Sequence, residues 1–216
     1  MRIDIWSDIV CPWCYVGKRR FERALEAFED RAEVQIVHRS FQLDPARPKG
    51  QLQKRREMLV SKYRLTAAKV AALDAQMEQT AAAEGLEYHL DDGVTGNTLD
   101  AHRLLHLAAD RGRQDVVLER FYRAYFTEGR SVFDAASLTA LAVEAGLDAG
   151  EVAAVLAGDD YAAAVASDIR EAQALGANGV PFFVFDHRFG VSGAQGSEVF
   201  SQVLARARES RVTSNR

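Results

Sequence analysis

The CPWC sequence at residues 11–14 constrains the fold of this chain more than any other stretch. It follows an apolar run at residues 3–10, which predicts a buried strand, and it precedes a segment with helical apolar spacing. On the first turn of a helix, the CxxC spacing can bring two Cα atoms to a disulfide distance of about 5.5 Å. Free N–H groups and the helix dipole favour the thiolate of the first cysteine. We therefore expect Cys11 to be the nucleophile and Cys14 the resolving thiol.

The two residues between the cysteines suit that role. Pro12 fits the first helical position, because it has no N–H to leave unpaired and its φ is already helical. We expect Trp13 to be exposed, because the turn must meet a partner sulfur. These residues are predicted neighbours of the active site.

The chain has 2 cysteines, and other roles for them stay open. A structural zinc site usually takes four Cys or His ligands in paired clusters, and the sequence has no second cysteine pair. A structural disulfide is unusual without a secretion signal. Two inert thiols at the end of a strand are the remaining alternative. A redox pair accounts best for both the spacing and the position.

Composition narrows the partners and the compartment. A net charge of −4 and a pI near 5.8 give no basic surface for nucleic acid. No apolar run approaches the roughly 18 residues of a membrane span, and the first strand begins too early for a signal peptide. We expect a cytoplasmic protein with no nucleic-acid or membrane partner.

The order of predicted elements describes an α/β domain interrupted by helices. The first strand, a helix at about residues 16–29 and a strand at 34–37 form a βαβ unit. Residues 51–176 have mostly helical spacing, and strand character returns only near the end of the chain. The predicted late elements are strands at 180–185 and 189–193, a helix at 197–207 and a frayed tail from residue 208. The predicted domains are 1–44 with 178–216, and 45–177.

Polar residues mark the starts of several inserted helices. Thr66, Asp134, and either Asn97 or Thr98 are candidate N-caps. The residues predicted to face inward on the helix after Thr66 are Val70, Leu73 and Met77.

Three motifs together resemble a known family. CPWC after a first strand, GVPFFVF at residues 179–185 and an inserted helical block are similar to the DsbA-type branch of the thioredoxin superfamily. NTLDAHRL at residues 97–104 resembles the FrnE-like cytoplasmic oxidoreductases. The resemblance covers residues 3–207. It implies an α/β thioredoxin fold (βαβ…ββα) with a large inserted all-helical domain, and protein disulfide oxidoreductase activity.

The resemblance also implies roles for individual residues. Pro181 would follow a cis peptide bond and face the disulfide, so that it joins Cys11 and Cys14 as a catalytic residue. The Val180 backbone would then pair with a bound thiol substrate. Family members often carry a buried acid where this chain has Ile5, and Asp8 is a candidate replacement. An ordinary polar residue at a strand end is the alternative for Asp8.

Asn97 and His102 lie in the FrnE-like motif and are predicted to line the active-site groove. Helix capping and a buried structural histidine are the alternatives. His102 and His106 share a helix face, but Arg103 stands where the Glu of HExxH would be. We predict no metal site.

The expected redox chemistry is mild. A His at the second position between the cysteines stabilises the thiolate in strongly oxidising DsbA proteins, and Trp13 offers no charge there. We expect a potential in the reducing half of the range from about −120 to −270 mV. The predicted partners are protein or small-molecule thiols and disulfides. Glutathione or another low-molecular-weight thiol could be the redox partner, with no required cofactor.

Two other functions remain open on the same fold. One is a glutathione-dependent isomerase or transferase of the 2-hydroxychromene-2-carboxylate isomerase or kappa-class type, which typically has Ser where Cys11 stands. The other is a non-enzymatic binding or chaperone module. The missing second cysteine pair excludes a relay through one, and the sequence leaves monomer and homodimer open.

Overall fold

The computed structural model of the chain describes residues 1–91 and 93–214. Residues 215 and 216, at the end of the predicted domain 178–216, lie outside that description. The strands are β1 (Arg2–Ser7), β2 (Gln35–Ser40), β3 (Gln53–Lys54), β4 (Val94–Thr95), β5 (Phe182–Phe185) and β6 (Phe189–Ser192). The helices are α1 (Pro12–Glu26), α2 (Arg55–Tyr63), α3 (Ala67–Ala83), α4 (Leu99–Asp110), α5 (Gln114–Phe126), α6 (Ala135–Glu144), α7 (Ala149–Ala157), α8 (Ala162–Ala174) and α9 (Ser197–Ser214).

The described chain divides into two compact units. One comprises Met1–Phe41 with Asp168–Arg216, and the other comprises Gln42–Ser167. The predicted domain limits, residues 44 and 178, lie near Pro and Gly residues, which typically interrupt helices and strands. Among the described residues, no helix is both long and apolar enough to cross a lipid bilayer.

The first unit contains a mixed sheet with the strand order β2-β1-β5-β6. β1 pairs with β2 in parallel, whereas β1–β5 and β5–β6 are antiparallel. The parallel pair joined by α1 confirms the predicted βαβ unit, and β5, β6 and α9 complete the predicted ββα end. β1 is a central strand, and its residues from Ile3 to Ser7 are all buried, so both of its faces are covered.

Apolar side chains cover one face of this sheet. Ile3 and Ile5 of β1 point to the same face because side chains alternate along a strand, and both are buried. Phe21 of α1 packs there with its ring centroid 5.6 Å from that of Phe183. Phe200 of α9 lies 4.6 Å from Phe183 between ring centroids. This core holds α1, and therefore the residues at its start, against the sheet.

The opposite face carries a buried ion network. Arg39 of β2 donates from Nε to Asp4 of β1 at 2.9 Å, and from Nη1 to Asp168 at 2.9 Å. Asp168 also accepts from the Ser40 N–H at 2.9 Å, and its backbone oxygen accepts from the Trp6 indole at 2.8 Å. Burial works to lower the pKa of Arg39, but the hydrogen bond to Asp4 and the nearby acids raise that pKa above its usual value. The network therefore allows charged residues inside an otherwise apolar layer.

The unit formed by Gln42–Ser167 is mostly helical, as predicted. Thr66 and Asp134 cap α3 and α6, because their side chains accept from the N–H groups of Lys69 and Ser137. β3, which precedes α2, pairs with β4, which follows α3, in a short antiparallel ladder. This ladder was not predicted from the sequence. The core of this unit includes a cluster of aromatic rings around Phe126. Tyr88 stacks on Phe126, the Tyr122 ring is tilted to it, and Tyr125 meets it edge-on.

Several local predictions were wrong. The first strand ends at Ser7 rather than at residue 10, because a turn precedes α1. α9 continues to Ser214 instead of fraying from Arg208, whose side chain binds Glu29 and Asp30. Leu73 does not belong to the inner stripe of α3.

Leu73 is 40% exposed, whereas the neighbouring Asp74 is 2% exposed. Arg55 donates to Asp74 at 2.6 Å, so the carboxylate is paired inside the unit. Because Val70, Asp74 and Met77 lie on one face of α3, the buried stripe passes through the acid rather than through the leucine.

Candidate functional site

The CPWC segment lies at the junction of β1 and α1. After β1 ends, the Cys11 N–H donates to the Asp8 carbonyl at 3.1 Å and closes a tight turn. Cys11 is the N-cap of α1 with φ −88° and ψ 110°, and Pro12 occupies the start of the helix. This geometry confirms the predicted placement of Cys11 at a helix N-terminus, where free N–H groups and the helix dipole favour a thiolate.

Cys14 lies one turn along α1 and is less exposed than Cys11. Its N–H donates to the Cys11 carbonyl at 3.0 Å, and both side chains are free thiols. Burial, together with a hydrogen bond to the Cys11 side chain and the charge on Cys11, raises the pKa of Cys14 well above its usual value. Cys14 is therefore a protonated thiol at neutral pH.

The segment before β5 closes the other side of Cys11. The Cys11 Sγ lies 3.5 Å from the Val180 carbonyl oxygen, which can accept its S–H. The Val180–Pro181 peptide bond is cis, as the family resemblance implies. Val180 packs with Trp6 and Phe182 on the sheet. Cys11, Val180 and Pro181 are thus brought together although they come from opposite ends of the chain.

The exposure of the segment is uneven. Trp13 is 46% exposed, whereas Cys11 is 5% exposed. The predicted exposure of Trp13 is confirmed. An exposed aromatic ring therefore lies two positions along the chain from the nearly buried Cys11.

Asp8 is buried beside the cysteine pair, with 1% of its surface exposed. Its backbone forms a hydrogen bond with the Cys14 thiol, which lowers the pKa of Cys14, while its negative charge acts in the opposite direction. Asp8 is thus close enough to Cys14 for its charge to act on the thiol. Sequence reasoning pointed to this residue only through its distance from Cys11 along the chain.

Asn97 is engaged within its own unit, Gln42–Ser167. Its Nδ2 donates to the Arg47 carbonyl at 2.6 Å, and its Oδ1 accepts from the Leu99 N–H at 2.8 Å. Thr98 is the N-cap residue of α4, but its side chain makes no capping bond. Asn97 therefore supplies the capping oxygen. Its proposed place in the groove stays a prediction.

His102 is fully buried in α4 of the same unit, and its place in the groove also stays a prediction. The neighbouring Arg103 has a structural explanation. It is 1% exposed and donates to the carbonyls of Val155, Gly158 and Asp160 and to the Asp100 carboxylate. The Asp and Arg of the NTLDAHRL motif thus hold the turn between α7 and α8.

The described residues contain no group of three or more His, Cys, Asp or Glu side chains arranged to hold a metal ion. His106, on the same helix as His102, stacks on Tyr161 with ring centroids 6.2 Å apart. The tyrosine hydroxyl donates to Asp110 at 2.7 Å. His106 therefore packs against an aromatic ring.

Gly17 and Arg20 of α1 belong to the site and were missed by sequence reasoning. A Cβ at Gly17 would lie 2.9 Å from the Pro181 Cγ and 3.3 Å from the Ala194 Cβ. Arg20 donates to the Ala194 carbonyl at 2.7 Å. A glycine inside a helical pattern, which costs helix stability, was the one signal that could have pointed here.

The model of the DSBA-like thioredoxin domain family matches residues 2–205. The chain is 55% identical to a probable DsbA oxidoreductase from Streptomyces coelicolor, with a TM-score of 0.94, over 97% of this chain and 90% of that one.

Two further solved structures have the same fold at lower identity. The cytosolic disulfide reductase DsbM from Pseudomonas aeruginosa, whose structure with GSH is also known, is 20% identical with a TM-score of 0.63, and 96% of this chain and 99% of that one are covered. A 2-hydroxychromene-2-carboxylate isomerase is 16% identical with a TM-score of 0.71, and 100% of this chain and 98% of that one are covered.

Proposed function

The chain belongs to the family of DSBA-like thioredoxin domains, and from that premise we propose that it is a thiol–disulfide oxidoreductase with a reversible Cys11–Cys14 disulfide. The observation that carries the proposal is the arrangement of the two thiols. Cys11 lies at the N-terminus of α1 with its sulfur 3.5 Å from the Val180 carbonyl, and Cys14 is buried one turn behind it. Membership of the FrnE-like subgroup stays a prediction.

In the first step the Cys11 thiolate attacks one sulfur of a substrate disulfide. A Cys11–substrate bond forms while the substrate S–S bond breaks, and the departing substrate sulfur takes up a proton. Trp13 would contact the substrate beside the reacting sulfur, and the Val180 backbone would pair with the substrate chain. Pro181 completes the proposed catalytic set, because its ring packs on α1 beside Gly17.

In the second step Cys14 resolves the mixed disulfide. Formation of that bond removes the negative charge of Cys11, which is one of the causes of the raised pKa of Cys14. Cys14 then loses its proton more readily, and we assign Asp8 as the acceptor. The Cys14 thiolate attacks the Cys11 sulfur, the intramolecular disulfide forms, and the second substrate sulfur leaves as a thiolate. The reverse sequence oxidises a dithiol.

We further propose protein or small-molecule disulfides as substrates, with glutathione or another low-molecular-weight thiol as the redox partner. DsbM, which has this fold, is a cytosolic disulfide reductase with a GSH complex. A cytoplasmic location fits a reversible cysteine pair, because that compartment keeps thiols reduced. Asn97 and His102 remain candidate groove residues.

The rival function is a glutathione-dependent isomerase, since a 2-hydroxychromene-2-carboxylate isomerase has this fold. That chemistry activates bound glutathione and does not need a resolving thiol. The paired free thiols of Cys11 and Cys14 favour redox exchange instead.

Two measurements test the proposal. Free thiols are titrated in the denatured protein before and after dithiothreitol treatment, and insulin reduction is then assayed with the wild type, Cys11→Ser and Cys14→Ser. We expect a reversible gain of two thiols and insulin reduction that needs Cys11. A pair that never forms a disulfide, or activity retained by Cys11→Ser, would refute the proposal.

A further inference from the structure

We propose that Arg20 is a positioning residue that sets the redox equilibrium of the cysteine pair by holding the segment before β5 against α1. This inference rests on the proposed function and names a determinant of it outside the CPWC motif. Arg20 lies on the same helix as Cys11 but is not expected to contact a substrate.

Arg20 anchors α1 to the loop that follows β6. Arg20 is half-buried, and its Nη1 donates to the Ala194 carbonyl at 2.7 Å. Ala194 belongs to the loop that follows β6. A charged donor makes a stronger hydrogen bond than a neutral one, and a partly buried position protects that bond from water. Arg20 therefore ties the middle of α1 to this loop.

The loop in turn holds Pro181. The N–H of Gly193 donates to the Pro181 carbonyl at 2.8 Å, and the Gln195 N–H donates back to Gly193 at 2.9 Å. Gly193 has a φ of 80°, which an L side chain would disfavour. The loop is thus folded so that one of its amides reaches the residue that follows Val180.

Gly17 provides the second contact between the helix and this segment. Its position would place a Cβ 2.9 Å from the Pro181 Cγ and 3.4 Å from the Ala194 Cα. Because glycine has no side chain, α1 can approach both residues closely. Arg20 supplies the polar contact and Gly17 the close packing, on adjacent turns of one helix.

The consequence appears at the Cys11 sulfur. Cys11 moves with the start of α1, and Val180 moves with Pro181. The separation of 3.5 Å between the Cys11 Sγ and the Val180 oxygen therefore depends on how firmly the two segments are joined. The Cys11 S–H can donate to that oxygen only in the reduced protein, because the disulfide has no S–H. The Arg20 anchor should stabilise the dithiol relative to the disulfide.

The test measures the equilibrium between this protein and glutathione. In the exchange, the Cys11 and Cys14 thiols lose two electrons and two protons and form an S–S bond. Glutathione disulfide accepts both and becomes two glutathione thiols. The measured constant is compared among the wild type, Arg20→Met, Arg20→Gln and Arg20→Lys.

We expect Arg20→Met and Arg20→Gln to shift this constant about two- to fivefold toward the protein disulfide, as loss of a weak hydrogen bond implies. The Met and Gln side chains are too short to reach the Ala194 carbonyl. If Arg20→Met does not fold, Arg20→Gln still tests the proposal. Arg20→Lys keeps a charged donor and should restore most of the wild-type constant. Arg19→Met is the matched control, because Arg19 is a neighbouring cation on α1 that pairs with Glu22 at 2.6 Å.

The outcomes separate positioning from mere stability. If Arg20 only stabilised the fold, its substitution would lower the melting temperature of both redox forms and leave the equilibrium constant unchanged, and that result would overturn the inference. An equal shift in Arg19→Met would also overturn it, since the cause would then be charge. A wild type that forms no Cys11–Cys14 disulfide would refute the proposed function instead.

Discussion

The Cys11 sulfur and the Val180 carbonyl oxygen lie 3.5 Å apart, although 169 positions separate them in the chain. The chain leaves β1 at Ser7 and reaches Cys11 at the start of α1. Because β5 pairs with β1 in the antiparallel direction, the segment before β5 lies at the same end of the sheet. The site is therefore a product of sheet topology.

The first prediction concerns which sulfur attacks. In the reduced protein, iodoacetamide should modify Cys11 before Cys14, because Cys14 is deeper and its raised pKa keeps it protonated. Peptide mass mapping at short reaction times gives the order. Cys14→Ser should accumulate mixed disulfides that Cys11→Ser cannot form. Modification of Cys14 first would reverse the assigned roles.

The second prediction concerns redox poise. Trp13→His would place a donor that can carry charge beside the Cys11 thiolate and stabilise the reduced form. One charge-assisted hydrogen bond of about 1.5–3 kcal/mol corresponds to a rise of roughly 30–65 mV in potential for a two-electron couple. Equilibration with glutathione measures it, and Trp13→Phe, which keeps a neutral ring, is the control. A potential equal to or below that of the wild type would contradict the argument.

The third prediction uses the close approach at Gly17. Gly17→Ala should improve helix propensity by about 1 kcal/mol, yet the added methyl would meet the Pro181 ring at 2.9 Å. Overpacking of this kind costs about 1–3 kcal/mol, so the net effect should be a lower free energy of unfolding and slower insulin reduction. Gly179→Ala is the matched control, since among the described residues no atom beyond the glycine and its two chain neighbours lies within 4 Å of a Cβ added there. A Gly17→Ala variant more stable than wild type would show that α1 and Pro181 can move apart freely.

The fourth prediction tests the buried ion network. Asp168→Asn should lower the free energy of unfolding by about 3 kcal/mol, because it removes the charge that Arg39 faces at 2.9 Å. Glu171→Gln is the control, as Glu171 lies 3.9 Å from the same arginine and its side chain is 38% exposed. That change should cost less than about 1 kcal/mol. If Asp168→Asn and Glu171→Gln lowered the free energy of unfolding in urea by equal amounts, the difference in burial between the two acids would have no effect on stability.

The fifth prediction is a pH dependence. Hydrogen bonds from Arg130 and Arg120 lower the pKa of Glu144 from 4.5 to about 2. Because the folded-state pKa is the lower one, the stabilisation is present above about pH 4.5 and is lost as the pH falls through about 2. Glu144→Gln should therefore melt below the wild type at neutral pH, and the gap should close across this range. The gap should also shrink in high salt; a gap that is constant with pH would exclude the ionic cause.

Local features of this protein follow from its sequence. Pro12 at the start of α1 and the caps at Thr66 and Asp134 involve residues that are near each other in the chain. Such interactions depend on backbone geometry that every helix start shares. The βαβ and ββα ends could be predicted for the same reason, since alternation and helical spacing describe which faces are buried.

The sequence alone also predicted that Cys11 and Cys14 act as a pair, because the CxxC spacing has few uses in a chain with 2 cysteines. The family resemblance implied the cis bond before Pro181, and the structure contains it. The helical spacing of α3 could not distinguish Leu73 from Asp74, because a carboxylate is buried only where another segment supplies its partner. Arg55 supplies that partner here.

Only the tertiary structure decided which distant residues support Cys11. In the sequence, Gly17 is a single glycine in a helical pattern and Arg20 is one of several arginines on the same helix. Only the structure shows that the loop at Ala194 contacts both of them. Contacts of this kind depend on the relative placement of elements, which periodicity does not encode. The proposed chemistry could be predicted from the residues at one helix start, but the geometry around Cys11 depends on the packing of both ends of the chain.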